Sequence, residues 1–115
     1  MKQGSKMKTH VLALLLSIAS VASFAQTTGN FKGKILDQST KQPVTGATVQ
    51  IDHSQFEAVS DTSAMFTINN IPAGTYAVTV SYIGFQTKNI SEVAITPGKT
   101  YYSELEILEF RASFN

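Results

Sequence analysis

The sequence predicts an all-β sandwich. Three observations carry that reading. Hydrophobic residues recur at every second position in several short runs, the period of a sheet with one buried face. Turn-forming residues separate the runs at intervals of ~8 to 12 residues. No stretch beyond residue 26 shows the helical period. The clearest run is Ile71 to Phe85, in which Pro72, Ala73 and Gly74 make a turn. Tyr76, Val78, Val80 and Tyr82 then alternate with Ala77, Thr79 and Ser81, and Gly84 ends the strand. This strand, Thr75 to Ile83, is expected at the centre of its sheet.

Taken in order, residues 1–25 open with Lys2, Lys6 and Lys8, continue through an apolar run from Val11 to Leu16 and Ile18 to Ala22, and end on small residues. That is the layout of a cleavable signal peptide. Cleavage after Ala25 puts Ser23 and Ala25 at the small-residue positions, and Met7 is a second candidate start. Ser17 and Ser20 break the apolar run short of the ~20 residues a membrane span needs. The expectation is therefore export to the periplasm or outer membrane, with no transmembrane segment in the mature chain.

Residues 26–30 read as a flexible polar lead-in. Phe31, Gly33 and Ile35 alternate with Lys32 and Lys34 in a first strand ending at Asp37, and Asp37 to Pro43 is a loop whose Asp, Ser and Thr side chains can cap their own backbone. Ala47, Val49 and Ile51 form the inward row of a second strand, with His53 expected to continue it. A short strand is expected at Glu57 to Val59, before the polar turn at residues 60–63. Phe66 and Ile68 point inward from a strand over Met65 to Asn70. In Phe85 to Ile95, Ile90 is out of phase with Val93 and Ile95, which predicts a bulge or two half-strands. After the turn Pro97-Gly98-Lys99, the last strand runs from Thr100 to about Leu108, with Ser103, Leu105 and Ile107 inward and Glu104 and Glu106 outward.

Composition bounds the rest. At 115 residues, 43% hydrophobic and 15% charged, the chain has room for one core and is not a disordered polymer. The formal charge of +1 includes the three lysines of the leader; from Gln26 onward, five Lys and one Arg stand against three Asp and five Glu, a balance of −2. No basic stripe exists to neutralise phosphates, so nucleic acid is set aside. The absence of cysteine removes disulfides, thiolate nucleophiles and Cys-based metal sites.

With these residues in place, the chain resembles the carboxypeptidase regulatory-like domain family over residues 31–109. The resemblance rests on Gly33-Lys34-Ile35-Leu36-Asp37, on Pro43-Val44-Thr45-Gly46-Ala47-Thr48-Val49, on Asp61 with Phe66 and Ile68, on Ile71-Pro72-Ala73-Gly74-Thr75-Tyr76 and on Val80-Ser81-Tyr82-Ile83-Gly84-Phe85, in that order and spacing. It implies a seven-stranded, Greek-key-type, prealbumin-like sandwich behind the signal peptide, with residues 110–115 as a C-terminal tail. The variant it looks most like is the N-terminal extension of TonB-dependent outer-membrane nutrient receptors, as a stand-alone relative or a shortened piece of one. One departure stands inside the pattern. The family usually has Gly in the turn between Asp61 and Phe66, where this chain has Ala64, and a Cβ at positive φ carries strain of order 1 kcal/mol. Ala64→Gly is therefore expected to raise the thermal midpoint.

Catalysis needs a nucleophile, base or metal in mutual reach. His53 is the one histidine left after cleavage, so neither a His-pair metal site nor a relay can be built around a second. The transthyretin-like hydrolases that the fold calls up use several histidines and a C-terminal Tyr-Arg-Gly-Ser signature, both missing here. Glu104, Glu106 and Glu109 read as a solvated strand face, because no Asp-x-Asp loop accompanies them. Asn89-Ile90-Ser91 matches a glycosylation acceptor by pattern alone. The reading is thus no enzyme, no cofactor, no metal and no catalytic residue. The expected partner is a protein at the outer membrane, docked through sheet edges. A glycan is the alternative ligand, as for a carbohydrate-binding module of a secreted glycan-utilisation system. Phe85, Tyr101 and Tyr102 are the candidate contacts, with Phe110 and Phe114 behind them.

Overall fold

The computed structural model describes residues 27–111; the expected leader, the candidate start at Met7 and Phe114 lie outside the described residues. Seven strands follow one another: β1 (Thr28–Asp37), β2 (Thr48–Ile51), β3 (Glu57–Val59), β4 (Met65–Pro72), β5 (Gly74–Ser81), β6 (Lys88–Ile95) and β7 (Thr100–Ile107). They form a three-stranded sheet in the order β4-β1-β7 and a four-stranded sheet in the order β3-β2-β5-β6. No helix occurs among the described residues. Every pairing is antiparallel except β1 with β7, the first strand and the last, which run parallel over eight residue pairs.

The period-2 pattern does the folding. Phe31, Ile35, Phe66, Ile68, Ile71, Leu105 and Ile107 on one sheet meet Ala47, Val49, Ile51, Val78, Val80, Val93 and Ile95 on the other. These two inner rows make a core about 10 Å thick in which each large side chain is worth roughly 1.5–3 kcal/mol of burial. Strand β5 is an interior strand, flanked by β2 and β6, as its pattern predicts. The misphased Ile90 also has its cause: Tyr76 pairs with Val93 and Val78 with Ile90, so two β6 residues oppose Ala77, and Glu92 takes φ 62° in the resulting bulge.

Three expectations are corrected. The lead-in at residues 28–30 is strand, not loose chain. Gly29 pairs with Ile71, and a Cβ there would stand 2.4 Å from the Thr96 carbonyl, so only glycine lets β1 start beneath the β6–β7 turn. The turn then holds it, with Gly98 N–H donating to Thr28 O and Asn30 N–H to Lys99 O. Second, His53 does not continue the inward row: β2 stops at Ile51, and φ 58° at His53 turns it to solvent. Third, Ala64 does sit at positive φ, 64°, but its methyl is completely buried. Relief of about 1–2 kcal/mol of backbone strain is therefore offset by loss of a buried methyl, about 0.8 kcal/mol, and by the freer unfolded chain of glycine. The expected rise becomes a near balance.

The loops are held by side chains acting on their own backbone. Asp37 Oδ1 accepts the N–H of Ser39 at 2.8 Å and of Thr40 at 3.3 Å, and Asp61 Oδ1 accepts those of Ser63 and Met65, each at 2.9 Å. Ser60, 3% exposed, accepts from Ala47 N–H at 2.9 Å and donates to Val44 O at 2.7 Å, tying the entry of β2 to the end of β3.

At Gly33 an added Cβ would lie 2.1 Å from Ser103 O and 2.7 Å from the Phe66 ring. Gly33→Ala is expected to lower the midpoint of thermal unfolding by more than about 10 °C, an overpacking cost of about 2–3 kcal/mol. Ala64→Gly is expected to leave it within about 4 °C, since its opposing terms differ by less than about 1 kcal/mol. Thermal unfolding followed by circular dichroism checks both; a Gly33→Ala protein as stable as the parent would contradict the close approach of β1 to β7.

Candidate functional surface

The candidate aromatics start from their places on the strands. Tyr101 and Tyr102 are neighbours on β7, so the pleat sends them to opposite faces. Tyr101 turns inward, 37% exposed, and meets the Phe31 ring edge-on at 5.6 Å between centroids. Tyr102 turns outward beside Lys32 of β1, 53% exposed. Phe85 lies beyond the far end of β7, half-buried against the core and 5.5 Å from the Tyr82 ring. The structure thus separates Tyr101, Tyr102 and Phe85 instead of gathering them on one face.

It gathers a different set. Strand β5 ends in the turn Tyr82-Ile83-Gly84-Phe85, closed by the Phe85 N–H donating to Tyr82 O at 3.0 Å, with Gly84 at φ 85°. A positive φ at the third position is the type II arrangement, and it leaves the second residue at the corner. That residue is Ile83, 89% exposed. Past β7 the chain pairs antiparallel with this turn: Gln86 N–H donates to Leu108 O at 2.7 Å, Phe110 N–H donates to Gly84 O at 2.9 Å, and Phe85 faces Glu109. Phe110, the first residue of the expected tail, is tied by that bond beside Gly84 at 65% exposure. Two exposed hydrophobic residues, Ile83 and Phe110, thus stand on the adjoining backbone of this turn, the apolar tip of the sandwich. Alongside lies a shallow hollow of about 460 Å³ lined by Gly46, Thr48, Ser81, Tyr82 and Ile83.

The remaining candidates are scattered. Among the described residues no three His, Asp or Glu side chains gather as ligands for a metal ion. Glu104 and Glu106 point outward as expected, and Glu106 accepts an ion-paired hydrogen bond from Lys41. On the outer face of the other sheet, the Thr79 hydroxyl lies 2.7 Å from Asp52 Oδ1 and 3.0 Å from the Asn89 amide oxygen. That network is a polar row on a sheet, with no nucleophile and base in relay. No described helix is long and apolar enough to cross a membrane, which says nothing of a β-barrel.

Comparison with known proteins adds the family. The model of the CarboxypepD_reg-like domain matches residues 31–109. No curated protein matches the chain. Among solved structures, a chain of a type II cohesin–X-dockerin complex from Acetivibrio cellulolyticus is 28% identical with a TM-score of 0.59, over 70% of this chain and 58% of its own length. The minor pilin GBS52 of Streptococcus agalactiae is 18% identical with a TM-score of 0.57, over 79% of this chain and 48% of its own. A candidate carbohydrate binding protein from Bacteroides uniformis is 15% identical with a TM-score of 0.57, over 71% of this chain and 42% of its own. The last two likenesses are of fold alone. The chain spans less than two thirds of the length of each.

The two tyrosines give a test of the faces. Tyr101→Ala is expected to lower unfolding stability by about 1–2 kcal/mol, through lost packing on Phe31. Tyr102→Ala is expected to change it by less than about 0.5 kcal/mol. Urea unfolding distinguishes them; equal losses would contradict the assignment of one ring to each face.

Proposed function

The chain belongs to the CarboxypepD_reg-like domain family, and from that premise we propose that it is a noncatalytic protein-docking module of the bacterial cell envelope. The observation that carries the proposal is the apolar tip. Ile83 and Phe110 are exposed on adjoining backbone, the apolar surface that such a module would offer a partner. Main-chain pairing holds Phe110 in place, so little ordering entropy remains to be lost when a partner arrives. The basic opening and apolar run of residues 1–25 support export. The motifs of residues 31–85 support a closer kinship with the N-terminal extension of TonB-dependent nutrient receptors, as a free domain or as part of a longer chain.

Glycan binding is the less favoured reading, because stacking on sugars needs at least two exposed rings on one face, whereas Tyr101 and Tyr102 take opposite faces and at the tip Tyr82 and Phe85 are packed against the core, leaving the Phe110 ring exposed. The test is chemical crosslinking in the native envelope, comparing the parent with an Ile83→Ser/Phe110→Ser variant of equal thermal midpoint. The expected result is a discrete adduct with an outer-membrane protein that the variant loses. Isothermal titration with starch-like and mucin-like oligosaccharides is expected to give no heat. Heat with a glycan, abolished by Tyr102→Ala, would instead establish the carbohydrate reading.

A further inference from the structure

Among the described residues no strand pairs with the outer edge of β7, and its peptide groups are aimed outward there in a defined set. Asn30 N–H donates to Lys99 O at one end of the β1–β7 ladder, and Gln38 N–H to Ile107 O at the other. Both groups of a strand residue point the same way, so Tyr101, Ser103, Leu105 and Ile107 bond to β1. The N–H and C=O of Tyr102, Glu104 and Glu106 point away from it. Leu108, next in that outward set, is already taken by Gln86, and the segment Gly84 to Gln86 runs antiparallel to the chain there. It is the first piece of a further strand. At Thr87 the chain leaves this edge so that Lys88 can pair with Val80 of β5. Where it leaves, a cleft of about 340 Å³ opens between Thr87, Lys88, Asn89, Glu106 and Leu108.

The other edges are blunted. Strand β3 has three residues, β6 is broken by the bulge at Glu92, and β4 carries Asn70 at φ 59° and ends on Pro72. Over its eight residues β7 has no bulge, proline or positive φ. Its guard is charge, and that charge selects the occupant. A second copy pairing antiparallel about Glu104 or Leu105 would set Glu104 against a carboxylate of its counterpart, an unfavourable cross-strand arrangement. On its β1 side the chain already shows the favourable one: Lys34 stands in register with Glu104, and Lys41 is paired with Glu106.

We propose that β7 accepts, antiparallel on its open edge, an extended segment of a partner protein that carries Lys or Arg at alternate positions opposite Glu104 and Glu106. The acidic strand then lies between two basic ones. Main-chain bonds to Tyr102, Glu104 and Glu106 supply the attachment, and the charges set register and partner. This rests on the reading of the chain as a docking module but not on the Ile83–Phe110 tip.

The test uses the full-length protein and the capped peptide Thr-Val-Lys-Val-Lys-Val-Thr, followed by amide chemical shifts at low salt. Saturable shifts centred on Tyr102, Glu104 and Glu106 are expected, weakening as salt is raised. Reversing both charges, Glu104→Lys/Glu106→Lys, should weaken binding roughly tenfold, the sum of two cross-strand pairs. Methylating the peptide amides that face β7 should abolish binding while leaving the protein untouched. Ile83→Ser/Phe110→Ser should leave it unchanged. No saturable shift, binding that survives methylation, or equal binding of a Glu-for-Lys peptide would overturn the proposal. If that happens while the tip variant still loses its envelope adduct, the docking module stands and only the β7 edge is lost.

Discussion

The backbones of β1 and β7 lie so close at Gly33 that no side chain fits between them, and the Phe66 ring closes over the same spot. The whole three-stranded sheet is arranged about that approach. Strand β1 is its middle strand, and it can be paired on both sides because Gly33 presents only backbone to Ser103 and Phe66. Phe31, two residues back on the same face, then meets Phe66 edge-on at 5.0 Å and Tyr101 at 5.6 Å. Aromatic edge contacts of this kind add about 0.5–1.5 kcal/mol each beyond area. The rest of the core fills in against this aromatic corner with Val and Ile, whose branched shapes pack well on a pleated surface.

A sandwich of this size has little core to spare, so its loops must hold themselves. Asp37 and Asp61 do so with carboxylates bound to nearby N–H groups, and Ser60 fastens the entry of β2 where the β2–β3 ladder begins. These are short-range devices. Four of the six connections cross between the sheets, while β2–β3 and β5–β6 stay within one.

What could be read from sequence follows the range of the interaction. Alternation is local, so the strands, the inner rows and even the β6 bulge were legible from Val78, Val80, Ile90, Val93 and their spacing. The Asx loops were legible for the same reason. Sheet membership was not, because nothing local says that Pro72 and Gly74 face different layers or that residues 28–30 find partners in the β6–β7 turn. The candidate surface failed in the same way. Tyr101 and Tyr102 were visible as rings, but Phe110 became part of a surface only through its bond to Gly84, 26 residues earlier, and that pairing leaves no local signature. Ser60 was hidden too, since a single buried serine looks like any turn residue until Val44 and Ala47 arrive beside it.

The parallel pairing of β1 with β7 has a mechanical meaning. Because the first and last strands run side by side in the same direction, the chain enters the three-stranded sheet at one end and leaves it at the other, roughly 30 Å away at the rise of a ten-residue strand. Tension applied between residues 28 and 107 would slide β1 against β7 along their length. All the bonds of that ladder would then be strained together, not peeled open one by one. A domain wired in this way behaves as a stiff link in series, able to pass a pull from whatever precedes it to whatever follows without first coming apart.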